Sequence, residues 1–158
     1  MSASQKQETD RGLGRLSHVA VLVRDLPAAV QKYEAWFGAR LIEQETLASG
    51  ADIAVIELGG VHLELLSTRQ PESKVAKLLD ELGEGIHHLS FEVADLEAAM
   101  ERLRASGVGL RDQVPRPGLH GRRIAFVEPR DTCGVLIELV DEDQSLQKVE
   151  LGEKHGRH

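Results

Sequence analysis

Apolar positions follow two rhythms along the chain, and the same succession of rhythms occurs twice. Residues 15–23 alternate poorly but are rich in valine, the pattern of a strand with one well-buried face. Asp25 can cap a helix whose first turn accommodates Pro27, and Gly38 ends it, predicting a helix that runs to about Trp36. Three strands follow over 39–46, 51–58 and 61–67, punctuated by Gly50 and by a Gly59-Gly60 hairpin turn. Residues 71–84 form a linker with a short amphipathic helix. A strand then restarts over 86–93, with a helix over 96–105 ending at Gly107. Further strands are expected over 109–113, 122–128 and 134–140, with a turn-rich loop over 115–121.

The second succession is a copy of the first. His18-Val19-Ala20-Val21-Leu22-Val23-Arg24-Asp25-Leu26 returns 70 positions later as His88-Leu89-Ser90-Phe91-Glu92-Val93-Ala94-Asp95-Leu96. Ile53-Ala54-Val55-Ile56-Glu57 returns as Ile124-Ala125-Phe126-Val127-Glu128, and Val61-His62-Leu63-Glu64-Leu65 as Val135-Leu136-Ile137-Glu138-Leu139. Several matched segments per half mean two similar supersecondary units side by side. Module one is therefore 15–68, the linker helix 71–84 and module two 85–141. Residues 1–14 read as a flexible arm and 142–158 as a polar tail.

Composition narrows the partners. With 158 residues and 41% hydrophobic positions, the chain can bury a core. A net charge of −7 argues against nucleic acid or an anionic membrane as the main partner, and no apolar stretch approaches the ~20 residues that span a bilayer. The single cysteine, Cys133, excludes an internal disulfide and a multi-cysteine zinc site. A polar, partly acidic arm with no apolar signal core fits a cytoplasmic location.

The repeat equates His18 with His88, and Glu64 with Glu138. Strand side chains alternate between faces, so Val19, Val21 and Val23 share one face and His18, Ala20 and Leu22 the other. The bulky apolar face belongs under the helix, and the histidine points to the surface that the two halves enclose. Glu64 and Glu138 sit among aliphatic residues, where an unpaired charge is very costly. Two imidazoles and two carboxylates suit a divalent ion with nitrogen and oxygen ligands (Mn²⁺, Co²⁺, Ni²⁺, Fe²⁺ or Zn²⁺), with positions left for substrate. His62 is a rival ligand on the Glu64 face. It and His87 read by default as structural residues, as does His120 unless its loop meets a substrate.

These stretches resemble the vicinal oxygen chelate superfamily of glyoxalase I, extradiol dioxygenases and bleomycin-resistance proteins. Gly85-Ile86-His87-His88, the linker helix around Ser73-Lys74-Val75-Ala76-Lys77, Gly118-Leu119-His120-Gly121 and the closing Glu128-Pro129-Arg130-Asp131 to Glu138-Leu139 are similar within it to the methylmalonyl-CoA epimerases. The resemblance implies an α+β fold of two paired βαβββ modules, a curved mixed sheet around one metal, with Co²⁺ the expected ion. His18, Glu64, His88 and Glu138 fall on its ligand positions. It further implies a homodimer acting on an acyl-CoA thioester, inverting C2 of methylmalonyl-CoA by proton transfer through an enolate.

Inversion without redox needs a base on each face of the carbon. Glu138 is the first candidate. Some epimerases place the second three residues beyond the glycine matching Gly50, which here is Ile53; the adjacent Asp52 faces the other way by parity. The loop at His120, Gly121 and Arg122 reads either as the contact for a substrate carboxylate or as a plain turn with solvated arginines. Lys74 and Lys77 stand near a CoA phosphate or simply in solvent. Two other functions compete: a glyoxalase I-like enzyme acting on a glutathione adduct, and a metal-free drug-binding protein of the bleomycin-resistance type.

Overall fold

The computed structural model describes residues 12–142. Most of the arm and the tail therefore lie outside the described residues. The chain runs β1 (Leu16–Leu22), α1 (Leu26–Phe37), β2 (Arg40–Thr46), β3 (Ala51–Leu58), β4 (Val61–Thr68), α2 (Lys74–Leu82), β5 (Gly85–Val93), α3 (Leu96–Ala105), β6 (Arg116–Pro117), β7 (Arg123–Val127) and β8 (Ile137–Asp141). All eight strands form one mixed sheet in the order β2-β3-β4-β1-β5-β8-β7-β6. The second half mirrors the first: β1 pairs parallel with β4, β5 pairs parallel with β8, and β1 joins β5 antiparallel at the centre. This is the α+β architecture of two paired modules that the resemblance implied.

The copied Asp-Leu start makes the same cap twice. Asp25 accepts a hydrogen bond from the Ala28 amide at 3.0 Å, and Asp95 from the Ala98 amide at 2.9 Å. Gly38, at φ 67°, ends α1 in the left-handed region that glycine adopts without a Cβ penalty. Helices α1 and α3 each cover the outer face of their own half. Val23, Ala54, Ile56 and Leu65 pack with Leu26 and Val30 of α1, while Val93, Ala125, Val127 and Leu139 pack with Leu96, Ala99 and Met100 of α3. Strand alternation therefore sends Glu64, Glu138, His18 and His88 to the opposite, concave face.

Three expectations change. Residues 109–113 form no strand; Leu110 makes one isolated bridge to Val127. The Asp112 carboxylate accepts from the Phe126 amide at 2.8 Å, so a side chain takes the place of a ladder bond there. The last strand begins at Ile137, not 134, because a turn with Cys133 at φ 57° and Gly134 at φ 86° absorbs the preceding residues. Finally, Arg116 and Pro117 pair briefly with Arg123 and Ile124 inside what read as loop.

Candidate active site on the concave face

The concave face encloses a cleft of about 800 Å³, a volume suited to a small organic ligand. His18 on β1, Glu64 on β4, His88 on β5 and Glu138 on β8 lie at its floor, all buried or nearly so. His18 Nε2 stands 3.2 Å from Glu64 Oε2 and 3.6 Å from Glu138 Oε1, and His88 Nε2 stands 3.5 Å from Glu138 Oε2. Ligand atoms of His18, His88 and Glu138 lie within 4.8 Å of one another. Glu64 falls outside that triplet and reaches the group through His18.

Both Nε2 atoms are buried without a hydrogen-bond partner. An imidazole nitrogen so placed is costly unless something satisfies it. Two imidazole nitrogens without a hydrogen bond, converging with a buried carboxylate on one point, suit a divalent cation, and these residues fit one.

The sheet supplies the other nitrogen of each ring with a partner. Pairing between β1 and β5 skips one residue on each strand: Ser17, between Leu16↔Phe91 and His18↔Ser90, and His87, between Ala20↔His88 and Val21↔Ile86. A bulge re-aims a side chain that strict alternation would send to the far face. Ser17 Oγ thus lies 3.1 Å from His18 Nδ1, and His87 Nδ1 lies 2.8 Å from His88 Nδ1. With a proton on each Nδ1, both Nε2 lone pairs point into the site. His87 is a site residue that sequence reasoning missed. Its signal was the unpaired position before each histidine, which no alternation pattern contains.

Burial sets the charge state. It pushes the Glu64 carboxyl up to about 8, with the Glu138 charge adding to the effect. Burial also raises Glu138 to about 7, against the hydrogen bond donated by Ser90 Oγ at 2.8 Å. Burial, then the Arg122 charge, pushes His18 down to about 4; burial, then His87, takes His88 to about 3. Without a cation, the floor near pH 7 holds neutral imidazoles and carboxyls on the edge of ionisation.

The remaining predicted residues are distributed as follows. Arg122 lines the cleft, but its guanidinium donates to the Asp141 carbonyl at 2.7 and 2.9 Å and to Glu92 at 3.1 Å. Gly118, where a Cβ would meet Ile124 at 2.8 Å, packs the loop down, and His120 adopts φ 56°. His120 Nε2 pairs with Glu43 Oε1 at 2.6 Å. His62 also lines the cleft. Asp52 is turned away as parity required, hydrogen-bonded by Thr46 Oγ1 at 2.6 Å and by Arg69, which hold its carboxyl below the usual range.

A curled sheet of two repeated halves, with a His–His–Glu cluster on its inner floor that could hold a metal ion, defines a class of small proteins built by duplication. The chain belongs to the Glyoxalase/Bleomycin resistance protein/Dioxygenase superfamily, whose family model matches residues 15–139. It is 37% identical over 130 residues to the ethylmalonyl-CoA/methylmalonyl-CoA epimerase of Cereibacter sphaeroides, covering 80% of this chain and 97% of that protein. The crystal structure of methylmalonyl-CoA epimerase from Mycobacterium tuberculosis superposes with a TM-score of 0.75 at 33% identity, over 88% of this chain and 98% of that one. A methylmalonyl-CoA epimerase in complex with methylmalonyl-CoA and NH4+ superposes with a TM-score of 0.75 at 35% identity, over 83% and 96%. No helix among the described residues is long and apolar enough to cross a membrane.

Proposed function

We propose that this chain is a metal-dependent isomerase that interconverts (R)- and (S)-methylmalonyl-CoA by proton transfer at C2 through an enolate, with residues 15–141 as the catalytic unit. The observation that carries the reading is the convergence of His18 Nε2, His88 Nε2 and Glu138 at the floor of a cleft. Its relatives at 33–37% identity include epimerases, one of them holding this thioester. The glyoxalase I-like and drug-binding alternatives lack such support.

His18, His88 and Glu138 would hold the ion, with Glu64 completing the shell. A divalent ion bound there supplies an electrophile for the charge that develops on the thioester oxygen. Glu138, whose carboxylate faces the cleft from the floor, is the group proposed to accept a C2 proton and later release it. Ser90 fixes its orientation through Oε1. The loop at His120, Gly121 and Arg122 is the proposed contact for the substrate carboxylate, with the Arg122 charge favouring an anion in the cleft. The family resemblance supports Co²⁺ as the ion and a homodimer as the assembly; the lone cysteine supports a cytoplasmic setting.

The test supplies one pure epimer to the metal-loaded protein, with a coupling enzyme that consumes only the other. Steady product formation is expected. Product that forms no faster than without the protein would overturn the reading.

A further inference from the structure

Glu43 and His120 are 77 residues apart in sequence, yet they form a pair at the mouth of the cleft. Glu43 belongs to β2, the edge strand of one half; His120 belongs to the turn after β6, the edge strand of the other. Their contact therefore joins the two edges of the curled sheet and closes it over the floor cluster. Strand register places Glu43 opposite Val55, Val55 opposite Glu64, Glu64 opposite Ala20, and Ala20 opposite His88. These residues form one row across the sheet, and Glu43 ends it. Both partners line the cleft, and the Glu64 carboxyl feels the charge of each. His120 holds a left-handed conformation that is unfavourable for a residue with a Cβ. Such an outlier persists where surrounding structure enforces it, often at a functional site.

The inversion proposed above needs a proton taken from one face of C2 and returned to the other. Glu138 lies at the floor. Ile53, the position where the resemblance would put a second carboxylate, is apolar. Glu43 lies one strand outward from Ile53, diagonal to it across the β2–β3 pair. We propose that Glu43, with the proton it shares with His120, is the second proton-transfer group, acting from the roof of the cleft on the face of C2 opposite Glu138.

This assignment rests on the epimerase reading. In one direction the C2–H bond on the floor side breaks, its proton passes to the Glu138 carboxylate, and the electron pair enters the thioester enolate. The Glu43–His120 pair then delivers its shared proton through the Glu43 carboxyl to the roof side of C2, and the electron pair returns to the new C–H bond. Glu138 ends protonated and the pair one proton short, and exchange with solvent resets both. The reverse direction exchanges their roles, and nothing is oxidised or reduced. Both side chains of the pair are partly exposed, which gives the roof proton a route to water. His120 is a positioning residue: it holds the carboxyl across the mouth.

The experiment compares metal-loaded wild type with Glu43→Gln in D2O, on each pure epimer. It reads deuterium at C2 by mass spectrometry, and inversion with a coupling enzyme specific for one epimer. Glutamine keeps a hydrogen bond to His120 but transfers no proton. Inversion is expected to fall about 100-fold or more, while the epimer whose C2–H faces Glu138 still incorporates deuterium with retention. Glu43→Asp, with the carboxyl set back by one methylene, is expected to recover part of the inversion, and it serves if the glutamine variant folds poorly. Wild-type inversion in Glu43→Gln, or an equal loss of exchange and inversion, would overturn the assignment alone. A wild type that exchanges no C2 proton would overturn the epimerase reading and this assignment with it.

Discussion

His87 Nδ1 lies 2.8 Å from His88 Nδ1, brought there by a bulge that removes His87 from the β1–β5 pairing. Two ring nitrogens at that distance share one proton. With it on His88, the His88 Nε2 lone pair faces the cation site. His87→Ala is therefore expected to weaken Co²⁺ binding about 10- to 100-fold, read by titrating metal-free protein and following the visible absorbance of the bound ion. Ser17→Ala, at the equivalent position beside His18, is expected to shift affinity in the same direction. Unchanged affinity in both variants would show that the bulges do not orient the ligands.

Direct loss of a ligand has a larger effect. His88→Ala leaves Glu138 with one imidazole fewer, and elemental analysis of protein purified without chelator is expected to find the metal of the wild type absent from the variant. Equal occupancy would contradict the site.

The charge state of the floor predicts an unusual pH dependence for the metal-free protein. Glu64 and Glu138 have raised pKa values, so their stabilising contribution is full below about pH 4.5 and is lost as pH rises through about 7 and 8. His18 and His88 have lowered values, so theirs is full above about pH 6.5 and is lost as pH falls through about 4 and then about 3. Stability should thus be highest between about pH 4.5 and 6.5 and decline toward pH 8. A bound cation favours ionised carboxylates and should remove the alkaline decline. Thermal melts at pH 6 and pH 8, with and without metal, check this. Glu64→Gln should flatten part of the decline in the metal-free protein.

Glu64 and Leu65 are neighbours on β4 that serve opposite faces of the sheet. Leu65 packs against α1, while Glu64 faces the cleft. Leu65→Ala is expected to cost about 2–5 kcal/mol of stability, measured by denaturant unfolding, with metal affinity preserved in the folded protein. Loss of metal binding by the folded variant would mean that the two faces are not separate.

The repeat made much of this architecture legible. Matched caps at Asp25 and Asp95 fixed both helix starts, and period-two alternation separated the α1-facing Val21 and Val23 from His18. The same alternation hid His87, because a bulge breaks the period and leaves no composition signal. The strand expected over 109–113 failed because the Asp112 side chain bonds the amide that a strand would have used. The Glu43–His120 pair was out of reach for another reason: it depends on the curl of the whole sheet, which brings together edges that are far apart in sequence.

The most direct test is solvent deuterium exchange at C2 of methylmalonyl-CoA, measured with metal-loaded protein and again after the metal is stripped. Rapid incorporation that disappears on stripping and returns when the ion is restored is the predicted result. Exchange at the same rate in both samples, or in neither, would contradict metal-assisted proton transfer at this site.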